Sequence, residues 1–250
     1  MSHWKSINIG KAFVFIGLFF LAISLWAHFN WIAPLEREVK VGETAFFSLN
    51  HGHQFPAGEE TPNMDYVKAF VFTPSGENIE LIPKNQEGSL LVSFPVKETG
   101  CHIVYFEDDR GVRSRTPRGW QSGGKDKYPD ASLSMKYYSS SLAYFQLGEG
   151  ESENFPLGLP FELSGSIRNN NLNITVFKNK EPVEGVEISL VSEHVEPQVI
   201  GKTDKSGRIE HKLNNLNGKL LVVASYLKEM SSEADYKEDR AASTLYLWIE

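Results

Sequence analysis

Thr44-Ala45-Phe46-Phe47-Ser48-Leu49, led in by Glu38-Val39-Lys40-Val41 and the Gly42-Glu43 pair, is the stretch that decides the fold. Polar and apolar residues alternate in the lead-in, a glycine breaks it, and an aromatic-rich run follows, which reads as strand, turn, strand. The cadence returns at Lys68-Ala69-Phe70-Val71-Phe72, closed by the Pro74-Ser75-Gly76-Glu77 turn. It returns again at Ile79 to Ile82, Leu90 to Phe94 and His102 to Phe106. Turn pairs every roughly 8–12 residues mark a β-sandwich of immunoglobulin-like type. The class is all-β.

Toward the C-terminus the pattern fails between Asp108 and Asp130. This basic, glycine-rich stretch has no sustained apolar period and reads as a long surface loop. Ala131 to Leu147 resumes as a strand pair or a short helix. Gly148 to Glu153 is acidic and rich in small residues, the composition of a linker. Beyond it, Phe161-Glu162-Leu163, Leu172 to Val176 and Val186 to Leu190 are short strands. Thr203-Asp204-Lys205-Ser206-Gly207 is a hairpin turn in which Gly207 supplies a positive φ. Leu220 to Ser225 and Ser243 to Ile249 close the series, with polar Lys228 to Arg240 as a loop between them. The expected organisation is a β-sandwich over 28–149, a linker over 150–160, and a second sandwich over 161–250, which through Asn179 to Leu190 and Gly201 to Ile209 resembles the small transthyretin-like domains.

Toward the N-terminus the reading changes character. Residues 12–26 carry no charge and follow Lys5 and Lys11, the pattern of a secretory signal peptide over 1–27. Ala27 suits the last position before cleavage, which would expose His28 as the new terminus. Leu25 is large for its place in such a site, and Ala22-Ile23-Ser24 offers a rival. An uncleaved anchor is the third reading, although the run is shorter than the roughly 17–25 residues of a spanning helix. The protein is then periplasmic or secreted, with membrane contact only if the segment stays attached.

Composition narrows the function. With 41% apolar and 12% aromatic residues the chain is built to fold. Its net charge of −7, more negative once Lys5 and Lys11 are removed, argues against a nucleic-acid partner. Cys101 is the single cysteine, so no intramolecular disulfide forms.

The chemistry lies in the histidines. His51-Gly52-His53 puts two imidazoles at a strand end with a flexible residue between them, a fit for nickel, cobalt, copper or zinc. The plain alternative is a solvated turn. If His28 becomes the terminus, its α-amine and ring grip a metal together, and His51 or His53 adds a third nitrogen, the arrangement of a histidine brace. Glu59, Glu60 and Asp65 follow closely, as oxygen ligands, supporting groups or a solvated acidic loop. Alternation places only one of Cys101 and His102 on a core face. His194 and His211 read as solvated surface histidines. Arg113, Arg115, Arg118, Lys125 and Lys127 make the 108–130 stretch basic, either to meet an acidic partner (including the chain's own acidic half) or for solubility. No nucleophile elbow, zinc-protease, P-loop or dinucleotide motif occurs, so nothing specific marks an enzyme.

Ala27-His28-Phe29-Asn30-Trp31-Ile32-Ala33-Pro34 resembles the A-H-x-x-W-x-x-P start of the DUF4198 family, and His51-Gly52-His53-Gln54-Phe55-Pro56 resembles its G-H-x-F-P segment. Thr116 to Trp120 and Lys125 to Pro129 are similar to its loop. The second half is similar to carboxypeptidase regulatory-like domains. The resemblance spans essentially the whole exported chain. It implies a periplasmic component of nickel or cobalt uptake that captures or delivers a divalent ion, nickel or cobalt and alternatively copper, beside membrane transporter components. His28, His51 and His53 are the residues it assigns to the metal. Two other classes remain: a metal-free adhesion or glycan-binding sandwich using the aromatics from Tyr128 to Phe145, and a copper oxidase of histidine-brace type.

Overall fold

The computed structural model of the protein describes residues 28–148, 156–193, 197–214 and 216–249. The signal segment, most of the acidic linker stretch and His194 lie outside the described residues. Among the described residues every regular element is a strand. In chain order these are β1 (Phe29–Pro34), β2 (Thr44–Gly52), β3 (Val67–Phe72), β4 (Asn78–Leu81), β5 (Lys84–Gln86), β6 (Ser89–Pro95), β7 (Gly100–Thr116), β8 (Gly119–Ser122) and β9 (Leu133–Leu147). They continue with β10 (Phe161–Arg168), β11 (Asn171–Lys178), β12 (Glu181–Pro182), β13 (Glu187–Ser192), β14 (Gln198–Lys202), β15 (Arg208–Lys212), β16 (Gly218–Glu229) and β17 (Glu238–Ile249).

These strands make three sheets. A central nine-stranded sheet runs β14-β13-β16-β17-β9-β7-β3-β4, with β8 on β7. A four-stranded sheet, β1-β2-β6-β5, packs on one face, and another, β10-β11-β12 with β15 on β11, packs on the other. The two sequence halves therefore share the central sheet, through the parallel pairing of β17 with β9. Double coverage explains why its middle strands are apolar without alternation. On β7, Val104 and Phe106 enter the core beneath β1-β2-β6, while Ile103 and Tyr105 enter the core beneath β10-β11. It also resolves Cys101 and His102. His102 is buried between Phe94 and Phe145, and Cys101 packs on the opposite core, so both faces are core faces.

The Ser139-Ser140-Ser141 run sits mid-strand in β9, where apolar residues would be usual. Its small side chains let both outer layers approach, and its hydroxyls bind them. Ser141 Oγ donates to the carbonyl of Asn30 on β1 at 3.0 Å, and Ser140 Oγ donates to the carbonyl of Phe161 on β10 at 2.7 Å. Thr244 and Ser243 on β17 repeat the arrangement: Thr244 Oγ1 donates to Asn30 O at 2.8 Å, and Ser243 Oγ accepts from Leu163 N–H at 3.1 Å. Every hydroxyl is buried and paired, as buried polar groups must be.

Three expectations change. The 108–130 stretch is not one loop: β7 runs on to Thr116 and turns back into β8, and both stay in the sheet. Arg115 is exposed and Arg113 lies half-buried over the Tyr66 ring, and these charges hid the strand's alternation. The Ala131 to Leu147 region is one long strand, neither a strand pair nor a helix. Likewise β16 and β17 take in both ends of 228–240, leaving the loop at 230–237. That loop meets the basic stretch directly, since Lys125 Nζ donates to Ala234 O at 2.8 Å and Asp126 N–H donates to Asp235 Oδ1 at 2.9 Å. At the other end, residues 157–159 are held by the buried Glu162 carboxylate, which accepts from the N–H groups of Leu157, Gly158 and Leu159.

The turn at Gly207 has the expected positive φ but is not a hairpin, because β14 pairs with β13 in the central sheet and β15 pairs with β11 in the outer one. The Gly207 φ is +71°, and Asp204 Oδ1 accepts from the N–H groups of Ser206 and Arg208 to close the turn. A Cβ at Gly207 would stand 2.9 Å from the carbonyl oxygen of Val176 and 2.8 Å from Cβ of Pro182. Gly207→Ala should therefore lower stability by about 1–3 kcal/mol. A shift of the urea midpoint at unchanged slope would measure it, and an unaltered midpoint would show that the turn yields freely.

Candidate metal centre

The centre forms where β1 begins and β2 ends. Antiparallel register places Asn30 opposite His51 and Phe29 opposite Gly52, so His28 falls beside the His51-Gly52-His53 segment. The chain after His53 then folds back. Phe55 is buried against Trp31 and Tyr246, and the N–H groups of Glu59 and Glu60 both donate to the carbonyl of His51. Gly52 suits this return, because its φ is +152° and a Cβ there would crowd Cβ and Cγ of Glu59 at 3.1 Å.

The result is a cluster. One ligand atom each from His28, His51 and Glu60 lies within 4.8 Å of the others. His28 Nε2 is 4.0 Å from Glu60 Oε1, and His51 Nε2 is 3.9 Å from Glu60 Oε2. Donors held roughly 2.0–2.2 Å from one ion stand about 3–4.4 Å apart, so small rotations of the exposed His28 and Glu60 side chains close the set. His53 lies against His28, with ring centroids 3.8 Å apart, but its Nδ1 is 2.7 Å from Glu59 Oε2 and it stands outside that three-residue group. The amide and ring N–H groups of His53 hold the Glu59 carboxyl below its ordinary range. Glu60, one of three carboxylates singled out in the sequence, is the one that faces the imidazoles. His102 sits in the core, and His211 lies on β15.

Behind His51 stands a chain of groups that the sequence did not reveal. His51 Nδ1 is 2.7 Å from Asn30 Oδ1. Asn30 Nδ2 donates to Asp108 Oδ2 at 3.2 Å and to Ser139 Oγ at 3.0 Å. Asp108 is 1% exposed and binds Arg110 through both carboxylate oxygens. The order of protons follows. A carboxylate only accepts, so the Asn30 amide nitrogen must face it, and its oxygen faces His51. The hydrogen of His51 is then on Nδ1, and the lone pair of Nε2 points at the cluster, the tautomer a metal requires. Burial, then His28, then Arg110 lower the pKa of His51 and favour its neutral form.

In the folded chain burial pushes the pKa of both His51 and His102 below the ordinary histidine value of about 6.5. Below about pH 6.5 the unfolded chain takes up protons that the folded chain refuses, so stability should rise with pH across that window and fall on acidification. Urea midpoints compared between pH 7.5 and pH 5.5 should drop in the wild type and drop less in His102→Phe. Equal drops in both would assign the acid sensitivity elsewhere.

Comparison with known proteins gives a family and remote structural likenesses. A search of the curated proteins finds no match. Among solved structures, the chain is similar to a two-domain fibronectin type III segment of chicken tenascin, with 14% identity, 88% of this chain and 99% of that one covered, and a TM-score of 0.27. It is similar also to a mutant of Salmonella alpha-2-macroglobulin, with 11% identity, 88% of this chain covered and a TM-score of 0.27. A methylamine-reacted form of that protein gives 13% identity, 88% coverage and a TM-score of 0.28. This chain spans 15% of the length of either macroglobulin chain. The family model described as "Domain of unknown function (DUF4198)" matches residues 25–217, and the chain belongs to that family.

Proposed function

We propose that this protein is exported and captures a divalent transition metal at the start of its β1 strand, for hand-over to membrane transporter components. The observation that carries the reading is the convergence of His28, His51 and Glu60, with His51 held neutral and aimed by Asn30. Two imidazoles and a carboxylate suit nickel, cobalt or copper, and the resemblance to a family linked to nickel and cobalt uptake favours the first two. Cleavage before His28 would add its α-amine to the donors. His53, with Nδ1 committed to Glu59, is a further nitrogen ligand through Nε2. The role is reversible binding rather than catalysis: the ion is the cargo, and the chain's own work is to keep donors deprotonated and oriented. The regulatory-like second half serves as scaffold, supplying Thr244 to the Asn30 carbonyl.

Calorimetric titration with nickel(II) and copper(II) tests this. One ion per chain should bind, with affinity falling as pH drops below about 6.5, because protons compete for the imidazoles. His51→Ala should abolish tight binding. Asn30→Ala, which leaves every ligand in place, should weaken it by about 10–100-fold. Binding that is indifferent to His51→Ala, or constant between pH 5 and 8, would contradict the site.

A further inference from the structure

The outer β1-β2-β6-β5 sheet does not cover its face of the central sheet across the full width. Val191, Leu221, Val223 and Tyr246 from the second half lie in the covered core. Past β1 the same face continues with polar and small side chains. Glu187 on β13, Ser225 on β16, and Arg240 and Ala242 on β17 line a cavity of about 340 Å³. His28, Tyr137 and Lys202 also line it. That volume lies within the roughly 300–1,000 Å³ of small-molecule sites.

His28 belongs to both places. It is a member of the three-residue metal cluster and a wall of the cavity. His28, His51 and Glu60 supply three donors, and with the His28 α-amine or His53 added as a fourth, an ion that takes six ligands keeps two positions open, which the shared histidine makes neighbours of the cavity. The cavity carries charge of both signs. Lys202 stands directly across the strand pair from Glu187, and Arg240 engages Glu238 through Nε. A cation beside an anion suits a small molecule that carries a carboxylate together with an ammonium or hydroxyl group. Such molecules chelate divalent transition metals.

The geometry points to a second binding site: the cavity beside His28 takes a small α-amino or α-hydroxy carboxylate that chelates the ion, so that the cargo is held as a metal chelate. This rests on the metal-capture reading above. The chelator fills the positions the protein leaves open, Lys202 and Arg240 receive its outer carboxylate, and Glu187 accepts from its ammonium or hydroxyl. Selectivity then lies partly in the organic molecule, because imidazole and carboxylate donors alone discriminate poorly among nickel, cobalt and copper.

The test is equilibrium dialysis of the exported protein with nickel(II) alone, nickel(II) with radiolabelled L-histidine, and nickel(II) with radiolabelled citrate. At least one of the two chelators should be retained at one per chain, only when nickel is present, while nickel stays bound. Ser225→Tyr, which fills the cavity from an exposed position, and Lys202→Glu should each reduce chelator retention by about tenfold or more while nickel-alone affinity is unchanged. If both chelators strip nickel and neither is retained, the proposal is wrong while the metal centre stands. Retention without nickel, or retention unaltered in both variants, also overturns it. Failure of nickel and copper to bind in the absence of chelator removes the metal-capture reading itself.

Discussion

The side chain and carbonyl of Asn30 hold the centre together. One residue at the start of β1 orients His51 through its amide oxygen, anchors to the buried Asp108–Arg110 pair through its amide nitrogen, and accepts from Ser141 and Thr244 at its main-chain carbonyl. Those partners come from β2, β7, β9 and β17, so the orientation of one imidazole depends on strands from both halves. A buried carboxylate such as Asp108 is tolerated only because Arg110 and Asn30 satisfy it. Loss of the Asn30 amide would leave an uncompensated acceptor and a freely turning histidine at once.

The three-layer arrangement makes this possible. A sheet covered on both faces must satisfy polar groups inside it, and here the serines and threonine of β9 and β17 do so while drawing the outer layers close. Ser139 and Ser141 point toward β1, and Ser140 points toward β10, the alternation inherent in a strand. The metal centre sits where the β1-β2 layer ends, which is why His28 and Glu60 are exposed while Asp108 behind them is buried. Rigidity behind and freedom in front suit a site that must accept an ion and give it up.

Much of this was legible in the residues. Alternation located β2, β3, β6 and β13, and Thr203 to Gly207 announced its turn. The His51-Gly52-His53 pair and the importance of His28 were visible too. Other features depend on partners distant in sequence. The extended β7 arm was hidden because Arg113, half-buried over Tyr66, and the exposed Arg115 put charge into the strand, and such charge looks like a loop. The sharing of one sheet between halves rests on the parallel β9–β17 pairing, which leaves no local mark. Asn30 looked like an ordinary polar residue at a strand start, because its role appears only when the register sets it opposite His51 and the fold brings Asp108 behind it. Glu60 stood out from Glu59 and Asp65 only once the chain folded back on the His51 carbonyl.

The most direct measurement is X-ray absorption spectroscopy of the nickel-loaded protein, paired with Glu60→Gln and His51→Ala samples. The account predicts nitrogen and oxygen scatterers at roughly 2.0–2.2 Å with the outer-shell signature of at least two imidazoles. One imidazole should disappear in His51→Ala, and the imidazole signature should persist in Glu60→Gln. A spectrum of water oxygens alone, or imidazole signatures unchanged by His51→Ala, would contradict a centre built on His28 and His51.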